Sequence, residues 1–148
     1  MVSAISLIVA IIALLLSAYS IYYTQKFNQY RVRIVHGCID HQNPYLISFE
    51  VFNDSPRSLT ITDISIVHPD GSPVQLMLDY EVEPNPLEIT AYQEPFSGEE
   101  LIAANSSSFF SYFVPENLKE IMVTVTADQP IHFGSNKKSV VLHLVKVD

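Results

Sequence analysis

The order of hydrophobic and polar residues divides the chain into two unlike parts. From Val2 to Tyr23 the chain is apolar or small, without a charge, a proline or a glycine. After Thr24, hydrophobic residues come in short runs that are rich in β-branched and aromatic side chains and separated by turn residues. The first pattern is typical of a transmembrane helix and the second of β-strands. We therefore predict a transmembrane helix over 1–24, a basic juxtamembrane stalk over 25–33 and a β domain over 34–148.

The N-terminal run has the length and the flanking residues of a membrane anchor. As a helix from Val2 to Tyr23 it would span about 33 Å, enough for a hydrocarbon core of ~30 Å. A cleaved signal peptide is the alternative, but that class has a basic start and a shorter apolar core. Tyrosine rings favour the membrane–water interface and basic side chains anchor next to it. The predicted interface anchors are Tyr19, Tyr22, Tyr23, Lys26, Arg31 and Arg33.

Basic residues flank this helix on one side only. Lys26, Arg31 and Arg33 follow it, and no Lys or Arg precedes it. The positive-inside rule then predicts an outside N-terminus and a cytoplasmic C-terminal domain. An extracytoplasmic domain stays the alternative, because three charges are a modest bias.

Small residues recur along the helix at alternating spacings of three and four. In lipid, helices associate through close packing and interhelical hydrogen bonds, which small side chains permit. A repeat of ~3.5 residues keeps such a seam facing its partner through a left-handed supercoil. The pattern predicts a packing face for a second copy or another membrane protein, and a face that simply meets lipid is the alternative. The seam consists of Ser3, Ser6, Ala10, Ala13, Ser17, Ser20 and Thr24.

The part after the stalk contains about seven short strand patterns and no helical one. Apolar and polar residues alternate in "PYLISFEVFN" and in "EIMVTVTA", which places one face of each strand in a core. In "SLTITDISIV" the alternation changes parity at Thr62, which predicts a β-bulge or a crossing between sheets. We predict an all-β, immunoglobulin-like antiparallel β-sandwich. The Cys-Trp-Cys core of antibody domains is missing, since the chain has one Cys and no Trp.

An acidic, proline-containing insertion interrupts the strands near 79–108. All sixteen acidic residues of the chain follow Arg33, and the net charge is −8. An acidic domain repels a phosphate backbone, so we expect no nucleic-acid partner. Long irregular segments often carry function, which makes the part over 79–100 a candidate contact surface for a protein partner. A cation site is the alternative, although the spacing of a calcium-binding loop is missing.

The best candidate for chemistry is "HGCIDH", in which His36, Cys38 and Asp40 alternate and His41 follows. These residue types suit zinc, but the usual four-ligand spacings are missing, and we interpret the group as a polar strand end. We expect His143, in the last apolar strand, to point outward. No motif of a nucleophile elbow, a phosphate loop or a metalloprotease occurs. We therefore predict no catalytic residue, no metal and no cofactor.

The turn and strand "VFNDSPRSLTITDISIV" carries a resemblance. With the hydrophobic helix before it, it resembles small single-pass membrane proteins of bacteria and their phages, which carry an Asn-Ser-x-x-x-Leu/Ile-Thr-Ile pattern. The matching residues are Asn53, Ser55, Leu59, Thr60 and Ile61. The resemblance implies a location and a fold. We expect a membrane-tethered, non-enzymatic protein-binding or assembly module; the alternative is a structural component of a virion or cell envelope whose helix packs in a bundle.

Overall fold

In the computed structural model the described part of the chain forms one helix and two β-sheets. The structure describes residues 2–27, 29–41, 43–77 and 95–147. The elements are α1 (Val2–Phe27), β1 (Val32–Asp40), β2 (Leu46–Asn53), β3 (Leu59–Val67), β4 (Glu100–Ile102), β5 (Ser107–Phe113), β6 (Glu120–Ala127), β7 (Lys137–His143) and β8 (Val145–Val147).

The helix is longer than the sequence pattern alone indicates. It continues to Phe27 because Gln25 and Lys26 are good helix formers that extend the apolar run. The strand β1 then begins at Val32, so the predicted stalk over 25–33 includes the last turn of α1 and the start of β1. Only a few residues therefore separate the helix from the β domain.

The strands form two four-stranded sheets. One has the order β5-β2-β1-β8 and the other β4-β3-β6-β7. All pairings are antiparallel except that of β8 with β1, which is parallel. The predicted combination of one N-terminal helix with a mostly antiparallel β domain is confirmed at this level.

The core lies between the two sheets and is built by the alternation read from the sequence. Alternate residues of β2, including Phe49, and of β6, including Val123, are fully buried. The Phe49 ring centroid lies 6.0 Å from those of Phe110 and Tyr112, as expected of packed aromatic pairs. Phe109 of the same strand is instead exposed. It lies one position out of phase with Phe110 along β5.

Two β-bulges change the faces of the strands. The pairing of β3 with β6 shifts between Ile61 and Asp63, which confirms the bulge predicted at Thr62. The pairing of β1 with β2 shifts between Val35 and Cys38, and His36 there has a φ of 54°. This second bulge has no signal in the hydrophobic pattern.

The C-terminal run "SVVLHLVKV" reads as one strand but crosses between the sheets. It breaks at Leu144, whose N–H donates to the Lys119 carbonyl at 2.8 Å, so that β7 and β8 lie in different sheets. Gly37 relieves crowding at this crossing, because a Cβ at that position would lie a tight 3.1 Å from the Leu142 Cβ. The absence of a side chain at Gly37 lets the bulge of β1 pack closely against the end of β7.

Residues 74–77, which follow the turn after β3, form no strand. The ladder at the end of β3 stops at a single bridge between Val67 and Pro73. Proline lacks the N–H that a continuing ladder needs.

The end of the domain at which the chain arrives from α1 is called the entry end below. It comprises residues 29–33, 54–58, 103–106 and 128–138. Hydrogen bonds join these segments: the Asp54 N–H donates to the Arg31 carbonyl at 2.8 Å, and the Lys138 ammonium donates to the Val32 carbonyl. The opposite end, called the far end, carries residues 40–41, 43–45, 68–72, 114–120 and 143–147.

Candidate membrane helix and adjoining end of the β domain

The helix α1 is long and apolar enough over Ser3–Lys26 to cross a membrane. None of its most apolar stretch is buried against the rest of the described chain. Large hydrophobic side chains are exposed on every side of it, from Ile5 to Tyr23. The apolar surface of α1 is thus left for something outside this chain to cover.

The seam residues all lie on α1, and all of their side chains are exposed. At ~100° per residue they occupy one face, and the seam turns slowly around the helix because 3.6 does not divide seven evenly. Ser20 and Thr24 leave a shallow groove of about 310 Å³, which Ile21 and Gln25 complete. The small side chains therefore make room on one face, as close helix packing needs.

Four of the predicted interface anchors lie in the last two turns of α1. The rings of Tyr19 and Tyr23 stack with centroids 6.1 Å apart, and the Lys26 Nζ lies 6.0 Å from the centroid of the Tyr22 ring. The other two anchors, Arg31 and Arg33, flank Val32 at the start of β1. The structure places the six anchors on two neighbouring elements.

A cleft of about 570 Å³ opens at the entry end. Backbone and side chains from three segments line it, which are Gln29 to Arg33, Asp54, and the β6–β7 turn with Lys138. The Arg33 guanidinium lies over the Phe52 ring, 4.8 Å from its centroid, and its Nε lies 3.5 Å from an Asp54 carboxylate oxygen. These contacts hold Arg33 beside the cleft.

The β6–β7 turn presents the most exposed large hydrophobic side chain among the described residues of the domain. Phe133 is 97% exposed, with a φ of 43°, and Gly134 follows with a φ of 81°. The Phe133 ring makes an edge contact with His132, with the centroids 4.4 Å apart, while Ile131 is buried beneath. Ile131 secures the turn, and Phe133 projects from it.

Sequence reasoning missed Phe133, Lys137 and Lys138 as site residues. An aromatic residue followed by Gly in a turn and then by two lysines is a visible signal. The sequence does not show which residues lie next to this turn, because the Lys138 ammonium donates to the Val32 carbonyl of the other sheet. That contact joins residues that are far apart in the chain.

His36, Cys38 and Asp40 of "HGCIDH" each have a separate hydrogen-bond partner and do not form one site. The His36 Nδ1 hydrogen-bonds Glu50, and the Cys38 Sγ donates to the Ser48 carbonyl at 3.6 Å. Burial and the nearby Asp40 carboxylate raise the pKa of the Cys38 thiol. Asp40 accepts from the Asn43 N–H at 2.9 Å. Within the described ranges, no group of three or more His, Cys, Asp or Glu side chains is placed to hold a metal ion.

The residues that carry the sequence resemblance form a buried polar link between the sheets. The Asn53 amide is fully buried and donates to the carbonyls of Arg57 (2.8 Å), Ile102 (3.1 Å) and Ala103 (3.0 Å). The buried Ser55 hydroxyl donates to the Asn53 amide oxygen. Every hydrogen-bonding atom of this amide thus has a protein partner, and the pair ties the β2–β3 turn to the end of β4.

The far end carries acidic groups paired with histidines. His68 Nε2 lies 3.3 Å from Glu116, and His143 Nδ1 lies 2.8 Å from Glu120. His143 is exposed, which confirms the prediction that it points outward. Of the predicted acidic insertion, residues 79–94 lie outside the described residues. Phe96, beyond them, packs edge-on against the Phe110 ring at 5.9 Å.

A scan against models of known protein families and a search of curated proteins both find no match to this chain. The features that stand out in the described residues are the uncovered apolar helix and the basic, aromatic end of the domain next to it.

Proposed function

We propose that this protein is a single-pass membrane protein whose β domain serves as a non-enzymatic protein-binding or assembly module. The observation that supports it is α1, apolar all round and covered by nothing in the described chain. A helix of that kind requires an apolar environment. Each large side chain left in water would forgo about 1.5–3 kcal/mol, so a bilayer is the fitting surrounding.

We propose further that the β domain is immunoglobulin-like. If β1, β2 and β5 are lettered A, B and E, they are neighbours in one sheet, and β3, β6 and β7, as C, F and G, are neighbours in the other. The immunoglobulin sandwich likewise has strands A, B and E in one sheet and strands C, F and G in the other. The strand β4 departs from it by pairing with β3 instead of β5. Domains of this architecture commonly act by presenting loops and edges to partners, an argument from fold analogy alone.

The far end is the surface that this proposal assigns to a partner. It lies opposite the segment that arrives from the membrane helix, and it carries Asp70, Glu116 and Glu120. A partner with a basic surface would be complementary to it, and such an association would weaken as the salt concentration rises.

Membrane attachment is tested on the full chain in cell membranes. The protein should stay with the membrane pellet after alkaline carbonate and require detergent for release, and its intact mass should include residues 1–24. A mass that starts after this region would show a cleaved signal sequence and overturn the tether. Release as a large defined multimer without detergent would favour the structural alternative, a helix bundle in a virion or envelope.

Orientation is tested with two C-terminal fusions. The basic residues after α1 favour an outside N-terminus and a cytoplasmic domain. A green fluorescent protein fusion should then fluoresce, and an alkaline phosphatase fusion should be inactive. The reverse pattern would place the β domain on the outside.

A further inference from the structure

We propose that the entry end of the β domain docks on the anionic surface of the same bilayer that α1 spans, with Phe133 inserted at the interface. This inference rests on the proposed membrane tether and adds a second, reversible contact to it. The contact fixes which end of the domain faces the lipid and which end faces a partner.

The apolar part of the contact is Phe133. Its ring is 97% exposed on a turn that buried Ile131 holds in place. An aromatic ring fully exposed to water gains from transfer to the membrane interface, where such rings accumulate. Phe133 thus projects in the manner of an interfacial anchor.

The charged part of the contact lies at the same end of the domain, and Arg31, Arg33 and Lys138 line the cleft together with Phe133. Five cationic side chains belong to the entry end, against two acidic ones, Asp54 and Asp128, in a chain whose net charge is −8. Asp54 is engaged with Arg33, and the Asp128 carboxylate accepts from the Thr60 N–H at 3.1 Å. The sign of this end is therefore opposite to that of the chain as a whole. The five cations are Arg31, Arg33, Arg57, Lys137 and Lys138.

The position of the entry end follows from chain length. Phe27 ends α1, and Arg31 is four residues later, a span of at most about 14 Å. Lys138 is held to the next residue, Val32, by its hydrogen bond. A helix that crosses the bilayer therefore brings the basic cleft within reach of the lipid headgroups.

Lipid fits this surface better than a protein partner does. Anionic headgroups supply negative charge next to a hydrocarbon boundary, which matches cations that share one end of the domain with an exposed apolar ring. The cleft of about 570 Å³ beside Arg33 and Lys138 offers space for a headgroup. The tether adds a high local concentration, so that a weak contact suffices.

A single fluorescent reporter tests the contact, because the chain has no Trp. Full-length Phe133→Trp is placed in nanodiscs of phosphatidylcholine alone or of equal parts phosphatidylcholine and phosphatidylserine. With phosphatidylserine we expect blue-shifted emission and quenching by lipids brominated high on the acyl chain. The matched control is Tyr45→Trp, a half-exposed aromatic at the far end, which should show neither.

The charge requirement is tested with a second, matched pair of variants. In the Phe133→Trp background, Arg31→Gln with Lys137→Gln should lower the ratio of docked to free domain about 25-fold, from ~5-fold per basic residue. Lys119→Gln with Lys146→Gln removes the same charge away from the entry end and should leave quenching unchanged. Raising the salt concentration should reproduce the first result.

The outcomes separate this inference from the tether. Incorporation of Phe133→Trp into nanodiscs without lipid quenching of the introduced indole would overturn the docking and leave the tether standing. Equal quenching in both lipid compositions, or equal loss in both charge pairs, would overturn the anionic contact. Failure of the chain to enter nanodiscs at all would overturn the tether itself.

Discussion

In α1 and in the β domain the same residue types have opposite surroundings. Leu14 is 71% exposed to the space around the helix, while Ile47 and Val123 of the β domain are fully buried. The hydrogen bonds of α1 are internal to the helix, whereas the β domain closes through long-range pairings and the Asn53 link. The β domain thus buries its apolar side chains in its own core, whereas the apolar side chains of α1 need apolar surroundings outside this part of the chain. Changes in one part should therefore leave the other intact.

The largest expected effect comes from a charge in the middle of α1, which should affect the helix and leave the β domain intact. Leu14→Arg should lower membrane insertion by about 2.5–3.5 kcal/mol, the cost of Arg near the centre of a helix in the bilayer. The amount of protein in carbonate-resistant membranes measures it. Leu14→Ile is the control and should behave as the wild type. Unchanged insertion of Leu14→Arg would contradict a spanning helix.

The converse change removes the polar link inside the β domain. Asn53→Ala removes the partner of the buried Ile102 carbonyl, of two part-buried carbonyls and of the buried Ser55 hydroxyl, so the free energy of unfolding should fall by about 2 kcal/mol. Chemical unfolding in detergent micelles measures this, with exposed Asn136→Ala as the control. Insertion of α1 should not change. Equal stability of the two variants would show that the link contributes little.

A smaller effect is expected from the seam, which stays a prediction from the sequence. Ala10→Leu with Ala13→Leu should fill the packing face and reduce self-association in a membrane two-hybrid assay, although each interhelical hydrogen bond contributes only ~0.6 kcal/mol. The matched control is Ala4→Leu with Ala18→Leu, since these two alanines lie off the seam. Loss of association in both pairs, or in neither, would remove the packing face.

The smallest expected effect is one of pH on the β domain. A Ser107 hydrogen bond, followed by His36 and Arg33, lowers the pKa of Glu50. A lowered folded-state pKa stabilises the domain above the ordinary value, and that contribution is lost as the pH falls through the lowered pKa. Glu50→Gln should therefore cost about 0.5 kcal/mol at neutral pH and flatten the acid side of the unfolding profile. If Glu99→Gln, on an exposed segment, gives the same flattening, the pairing has no such role.

The part of the fold that the sequence predicts is the part with a local cause. Alternation within β2 and β6 and the parity change at Thr62 are properties of neighbouring residues, and the structure confirms them. The break of the last strand at Leu144 lies against Gly37, more than a hundred residues earlier, and no local pattern reveals this close approach. The entry end likewise has no local cause, because Phe133 and Arg31 line the same cleft only when the two sheets pack together. Site residues that come together only through tertiary packing cannot be identified from the local sequence pattern.

The parallel pairing of β1 with β8 has a mechanical consequence. The chain enters β1 from α1 at the entry end, and β8 leaves alongside it toward the far end, with Cys38 opposite Val145 and Asp40 opposite Val147. A pull between α1 and Val147 would slide the two strands along each other and load their hydrogen bonds together instead of one after another. The domain should thus transmit force from a partner to the membrane and resist it best along its own long axis, which single-molecule stretching from these two points would measure.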